Sequence, residues 1–335
     1  MPTTVLVTGA TGFLGRHLVA ELLRRHYRVR ALVRPNGPAA GRPAWAAGPG
    51  GPVECWPGDV SQPATLAGAA DGCGAIIHAA ALAQVSPARN PAVWAVNCAG
   101  TANVLRLARQ AGVARFVYVG TANVFGFGTR QAPGDETRPY AGRRYGLDYM
   151  DSKRAATDLV QQAVAEWQLP AVLVHPTFML GPGDAKPTSN ALLLALYRGR
   201  LPGYPAGGKN YVHVADVAAA TVNALAQGRA GESYILGHQN LSYREAFALL
   251  AGAMGVRPPR WPVPAALARL YGVAGDWRAR LTGRPARLSA AMAAVANDGH
   301  YFSAQKAIAG LGLPQTPLEQ AAREALAWFK AHHYV

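Results

Sequence analysis

Tyr149 and Lys153 stand four residues apart in Tyr149-Met150-Asp151-Ser152-Lys153, at the start of a stretch with helical apolar spacing. That spacing puts both side chains on one face of a helix. A free tyrosine has a pKa of roughly 10 and is a sluggish acid or base near neutrality. An ammonium fixed close to it stabilises the phenolate and brings that value toward the working pH. The pair is thereby suited to passing a proton to or from an oxygen.

A second chemical signal opens the chain. Gly9, Gly12 and Gly15 lie three apart in Thr8-Gly9-Ala10-Thr11-Gly12-Phe13-Leu14-Gly15, after the apolar run 5–7 and before residues with helical apolar spacing. Between a strand and a helix, such glycines let the backbone approach a pyrophosphate. Gly9 permits the sharp turn, Gly12 removes a side chain from the ligand's path, and Gly15 lets helix and strand pack closely. The backbone from Thr11 through Phe13 and Leu14 then offers free N–H groups at the positive end of the helix.

Other candidate cofactor contacts stand where further apolar runs end. Arg30-Ala31-Leu32-Val33-Arg34-Pro35-Asn36 carries no carboxylate to bind an adenosine ribose. Arg34 is placed instead to pair with a 2′-phosphate, so NADPH is expected, with NAD(H) the alternative. The plain reading of Arg34 is a solvent-facing arginine in an Arg-rich chain. Asp59 and Val60 follow the third run, and Asp59 can accept from an adenine amino group. Ala79, Ala80 and Ala81 follow the fourth and leave room for ribose and nicotinamide, and Pro176 ends the sixth. All are at carboxyl ends of strands, where open α/β sheets bind ligands.

The elements that must position these residues follow from the rhythm of the chain. Apolar, β-branched runs at 5–7, 29–33, 53–56, 75–78, 116–119 and 171–175 alternate with amphipathic stretches at 14–25, 93–110 and 149–167. Strand–helix alternation with near-continuous apolar strands predicts an α/β fold, a doubly wound parallel Rossmann sheet. The Pro/Gly-rich connection 35–52 reads as a loose loop. After residue 178, helical stretches dominate at 191–197, 214–226, 243–254, 264–281 and 318–332, with a short strand at 233–236. The expected division is a nucleotide-binding domain over 1–178 and a smaller, mostly helical substrate lobe over 179–335, part of which returns to the first sheet.

Composition bounds the partners. Lys and Arg total 33 against 18 Asp and Glu, a formal charge of +15. The arginines are scattered and form no basic block interleaved with aromatics, which argues against nucleic acid and leaves attraction to anionic ligands or lipid headgroups. Cys55, Cys73 and Cys98 show no metal-ligand spacing and the nine histidines no HExxH pattern, so no metal is expected. His78, His175 and His213 read as strand-end or core residues. A reduced, cytoplasmic setting is the expectation, with no signal segment before a strand that begins near residue 4. No run reaches the roughly 18 apolar residues of a membrane span.

The glycine turn and the Tyr149/Lys153 pair together resemble the extended short-chain dehydrogenase/reductase superfamily of epimerases and dehydratases. Gly120-Thr121-Ala122-Asn123-Val124-Phe125-Gly126, Gly181-Pro182-Gly183-Asp184, Tyr211-Val212-His213-Val214-Ala215-Asp216-Val217 and Tyr234-Ile235-Leu236-Gly237 extend that resemblance over nearly the whole chain. It is closest to dihydroflavonol-4-reductase-like, 3β-hydroxysteroid dehydrogenase-like and hopanoid-associated sugar epimerase-like proteins, whose names disagree about substrate. It implies that Thr121, in place of the commoner serine, donates to a substrate oxygen and that Lys153 also holds the nicotinamide ribose. It further implies that Asn97 props Lys153 through solvent, a helix cap being the plain alternative, and that 93–110 and 149–167 pair in a homodimer.

Three functions follow. The first is an NADPH-dependent reductase of a ketone or aldehyde, or the reverse oxidation of an alcohol, on a hydrophobic or aromatic small molecule. Phe127, Phe178 and Met179 are its candidate pocket residues. The second is a nucleotide-sugar epimerase or dehydratase with tightly held NAD, its diphosphate clamped by Arg257, Arg260 or Arg284. The third is a non-catalytic nucleotide sensor or membrane-surface protein. Leu267, Leu270, Ala274, Trp277 and Leu281 fall on one helical stripe near Arg269, Arg278, Arg280, Arg284 and Arg287. That stripe reads as core or as the lid of an apolar pocket, or else as a face for weak membrane association.

Overall fold

The computed structural model of the chain describes residues 3–35, 37, 53–84, 89–282 and 288–335. Most of the 35–52 connection, with Asn36, Arg284 and Arg287, lies outside the described residues. In chain order the first half runs β1 (Thr4–Thr8), α1 (Phe13–Arg24), β2 (Arg28–Val33), β3 (Glu54–Pro57), β4 (Ala75–His78), α2 (Pro91–Trp94), α3 (Gly100–Ala111), β5 (Arg115–Val119), α4 (Asp148–Trp167) and β6 (Ala171–Pro176). The second half runs β7 (Phe178–Leu180), α5 (Ala191–Tyr197), β8 (Gly208–His213), α6 (Val214–Asn223), β9 (Ser233–Leu236), β10 (Gln239–Ser242), α7 (Tyr243–Met254), α8 (Ala265–Thr282), α9 (Ala290–Asn297), β11 (Gly299–His300), α10 (Gln305–Leu311) and α11 (Leu318–Ala331).

Seven parallel strands form the main sheet in the order β3-β2-β1-β4-β5-β6-β9. Successive side chains point to opposite faces, so Val5 and Val7 enter one core with Leu18 of α1 and Val217 of α6, while Leu6 enters the other with Ile76, Phe116 and Val160 of α4. The strand order reverses between β1 and β4, and at such a reversal the crevice of an open α/β sheet lies beyond the carboxyl ends of the strands. Tight packing holds that crevice in shape. A Cβ on Gly15 would lie 2.0 Å from the Gly9 carbonyl oxygen and 2.8 Å from Ala10 Cα.

Beyond residue 178 the chain is less purely helical than its pattern suggests. β8 carries antiparallel β10 on one edge, and parallel β11 and then β7 along the other. This second sheet went unread because β7, β10 and β11 span three, four and two residues, too short for a period-2 pattern to show. β9 leaves it and pairs β6 in the main sheet. The helical stretch expected over 93–110 is interrupted by a π-helical turn at Ala95–Ala99, which bears Asn97.

Replacing Gly15 with Ala is expected to lower stability by about 2 kcal/mol, because backbone on both sides of the added methyl must shift. Urea unfolding checks this, and an unchanged midpoint contradicts the packing described.

Candidate active site

The β1–α1 turn is shaped for a diphosphate. Gly9 has φ +72°, and a Cβ there would lie 2.7 Å from Ala80 N, so the turn presses directly on the chain leaving β4. Gly12 is exposed, and a Cβ on it would meet only the Gly9 oxygen, at 3.2 Å. It therefore leaves space where a ligand's phosphates would lie. Gly12 also begins α1 with no side-chain cap, and the first turn holds no acidic residue. The N–H groups there, with Thr11 before and Phe13 and Leu14 after, suit an anion.

Along the same edge Asp59 Oδ1 accepts from Ser61 N (2.8 Å) and Ser61 Oγ (2.7 Å), which leaves the other oxygen for an amino group. Val60 is buried, and its carbonyl accepts from Asn103 Nδ2 at 2.8 Å. Arg34 is exposed where β2 ends. Ala79 and Ala80 are half-buried and Ala81 exposed beyond β4, and Pro176 is buried at the end of β6. These residues fit a dinucleotide across the crevice.

A buried polar relay ties this turn to α4. Thr101 Oγ1 donates to the Asn97 carbonyl oxygen (2.6 Å), so His78 donates from Nε2 to Thr101 (3.0 Å). His78 Nδ1 then accepts from Thr8 Oγ1 (2.7 Å), which in turn accepts from Ala80 N (3.2 Å). Burial, with a smaller contribution from Lys153, pushes His78 down to about 3, so its ring is neutral. Asn97 is fully buried; its Oδ1 accepts from Leu82 N (2.8 Å), and its Nδ2 donates to Ser152 Oγ (3.0 Å). Ser152 Oγ donates onward to the Tyr149 carbonyl oxygen (3.0 Å). Asn97 thus caps no helix. It staples the chain after β4 to the turn of α4 that bears Tyr149, next to Lys153 in sequence.

The Tyr149/Lys153 pair departs from its expected electrostatics. Burial raises the Tyr149 pKa, and only the hydrogen bond with the Thr121 side chain draws it back. Lys153 Nζ instead donates to the Val119 carbonyl oxygen at 2.7 Å and lies over the Tyr118 ring, 4.5 Å from its centre. Burial alone brings its ammonium down to about 7. Tyr149 is therefore a protonated phenol at neutral pH, and Lys153 is anchored to the end of β5. Thr121, where β5 ends, is buried and accepts from Asn123 N at 3.4 Å. The preceding Gly120 is demanded by His175, whose Nδ1 would be 2.4 Å from a Cβ.

Thr121 opens onto a small cavity of about 50 Å³ lined by Asn123, Pro176, Phe178, Lys209 and His300, among others. Of the three candidate pocket residues, Phe178 lines this cavity. Met179 does not: alternation along β7 turns it to the other side, against the core formed by α1 and α6. Phe127 stacks on His300 with ring centres 4.2 Å apart and lines a neighbouring groove.

Lys209 and His300 escaped the sequence reading. They lie far from Thr121 in the chain and meet only through the β8–β11 register, Lys209 opposite His300. The one available signal was that Lys209 immediately precedes the Asn210-Tyr211-Val212-His213 run. Burial pushes Lys209 down to about 8, and burial aided by Lys209 and Arg144 pushes His300 down to about 3. His300 is held by Asn123 Oδ1 (3.2 Å) and by Tyr145 Oη (3.3 Å), and Tyr145 donates to Asp298 at 2.5 Å. The lid reading of the 265–281 stripe is overturned. Leu267, Leu270, Trp277 and Leu281 face outward with exposures of 58, 66, 63 and 81%.

A doubly wound sheet with a glycine turn at its switch point, and a phenol facing a hydroxyl beside it, defines an NAD(P)-dependent oxidoreductase of the short-chain dehydrogenase/reductase type. The chain belongs to the NAD dependent epimerase/dehydratase family, which matches residues 5–237. It is 32% identical to a "Putative dihydroflavonol 4-reductase" of Synechocystis sp., over all of this chain and 97% of the relative. Among solved structures it resembles gox2253, with TM-score 0.84, 33% identity and 98% of each chain covered. It also resembles PA4631, "a nucleoside-diphosphate-sugar epimerase from Pseudomonas aeruginosa", with TM-score 0.80, 25% identity and 99% of each chain covered.

The histidines set a pH dependence. His78, His175 and His300 are each held near a pKa of about 3 when folded, against 6.5 as the ordinary value. The unfolded chain binds more protons between these values, so stability rises with pH through that window and is lost as pH falls through it. Unfolding at pH 5 is expected to take up about three protons. Urea midpoints measured from pH 6.5 down to 4 check this, and a flat series contradicts it.

Proposed function

We propose that the protein is an NADPH-dependent reductase of a ketone or aldehyde on a hydrophobic or aromatic molecule, or the NADP-dependent dehydrogenase of the corresponding alcohol. The observation that carries this reading is the hydrogen bond between the Tyr149 phenol and the Thr121 side chain, Thr121 itself lining a small pocket with Phe178 and Phe302. A bound nicotinamide would supply the hydride. Thr121 donates to the carbonyl oxygen and orients it, while Tyr149 gives that oxygen its proton. Lys153, fixed on Val119, is the residue to hold the nicotinamide ribose, and Asn97 keeps the Tyr149 turn in register through Ser152. Residues 1–178 hold the cofactor in this scheme. The substrate side falls to 179–335, apart from β9 and α6, which join the main sheet and its α1 layer.

One observation favours a second reading. Lys209 is a half-buried cation in the pocket beside Thr121, a suitable partner for an anionic substrate group such as a sugar-nucleotide phosphate. A purified protein that retains NAD and does not oxidise added NADPH would turn the assignment toward an epimerase or dehydratase.

The test is a spectrophotometric screen of NADPH and NADH oxidation over aldehydes, ketones and steroids. Tyr149→Phe is expected to lower kcat by roughly 10²–10⁴-fold; undiminished activity refutes the proposed acid. Arg34→Ala is expected to raise KM for NADPH by about ten-fold while leaving KM for NADH unchanged, through loss of a charge-assisted contact with the 2′-phosphate. Equal effects on both nucleotides would remove Arg34 from cofactor choice.

A further inference from the structure

Helix α8 is built with its bulky face outward. Its buried positions are the small residues Ala268 and Gly272. Gly272 lies so close to the start of α9 that a Cβ would come within 2.7 Å of Ala290 N. Asp276, the one acid of the helix, turns the same way and accepts from Ala290 N at 3.0 Å. Opposite them Leu267, Leu270, Ala274, Trp277 and Leu281 share a sector of about 80° at 100° per residue. Tyr271 borders that sector at 61% exposure, and Trp261, just before the helix, is 74% exposed. Arg269 and Arg280 flank one margin of the sector and Arg278 the other. Among the described residues none of these arginines, nor Arg257 or Arg260, forms an ion pair.

An apolar stripe of this extent facing water marks an interaction surface. We propose that α8 docks the protein on an anionic lipid surface, laying Leu267, Leu270, Trp277 and Leu281 among the upper acyl chains and setting its arginines at the headgroup phosphates. Charge decides between occupants. A second copy paired about a two-fold axis would bring the same unpaired arginines against each other, whereas an anionic surface complements both them and the formal charge of +15. No helix among the described residues is long and apolar enough to cross a membrane, so α8 lies along the surface. α9, on which α8 rests, also packs Ala291 and Val295 against the cluster of Tyr145, Leu147 and Met150 that touches Tyr149. Docking therefore sets the catalytic side of the molecule toward the lipid, a placement that suits the apolar substrate of the reading above and, in that respect alone, rests on it.

The test is co-sedimentation of the full chain at low salt with phosphatidylcholine vesicles, with and without a roughly one-third share of phosphatidylglycerol. The protein is expected to pellet with the anionic vesicles. The triple variant Leu270→Ser, Trp277→Ser, Leu281→Ser is expected to lose about ten-fold in partitioning with an unchanged melting curve, since these side chains are exposed. Arg269→Gln, Arg278→Gln, Arg280→Gln is expected to abolish the preference for anionic over neutral vesicles. Failure to pellet with either vesicle overturns the proposal, as does equal pelleting of the Ser variant. So does a dimer in sedimentation velocity that the Ser variant dissociates without any vesicle binding by the parent. Partitioning is read without turnover, so vesicle binding by a protein inactive on every carbonyl would sink the reductase reading alone.

Discussion

The close approach of backbone to backbone at the β1–α1 turn is the constraint on which the rest depends. Gly15 sits against the Gly9 carbonyl, and Gly9 sits against the peptide joining Ala79 to Ala80. These contacts set the start of α1 directly over the crevice between β1 and β4 and fix where the chain after β4 must pass. Side chains at Gly9 and Gly15 would force the segments apart, while a side chain at Gly12 would fill the space left for phosphate. One element therefore has two separate demands for glycine, one of packing and one of access.

The buried relay carries this geometry to the chemistry. Thr8, His78, Thr101, Asn97 and Ser152 each use their donors and acceptors on the next member, and the series ends on the carbonyl of Tyr149. A neutral His78 suits this arrangement because a second ring proton would find no acceptor at Thr8, whose own hydroxyl proton already points at Nδ1 and whose oxygen receives Ala80 N–H. The π turn at Ala95–Ala99 sets Asn97 between the chain after β4 and α4. Lys153 is held separately, by the Val119 carbonyl, so the phenol and the ammonium are positioned by different anchors although they share one helix turn.

The electrostatics that result differ from those of an isolated tyrosine–lysine pair. Burial dominates both groups, keeping the phenol protonated and weakening the ammonium's hold on its proton. The hydrogen bond from Thr121 is the only opposing influence on the phenol. This favours the proton-donating direction at Tyr149, while Lys209, and not Lys153, lines the pocket with Thr121.

The sequence alone determined the parallel main sheet, the glycine turn after its first strand and the shared helix face of Tyr149 and Lys153, while Thr121 was marked out by the family resemblance. The first three depend on local pattern: apolar runs alternating with helical stretches, glycines three apart, side chains one helical turn apart. Asn97 was legible as a position but not as a staple, because its partners Leu82 and Ser152 belong to other elements. Only the tertiary structure decided what lines the pocket, since Lys209 and His300 meet through the register of β8 with β11, a strand of two residues too short to recognise by pattern. It also decided the orientation of α8. Periodicity showed a stripe of large apolar residues, but whether that stripe faces inward depends on how closely the neighbouring α9 approaches the other side of the helix. Gly272 permits that approach, and so the bulky side is left outside.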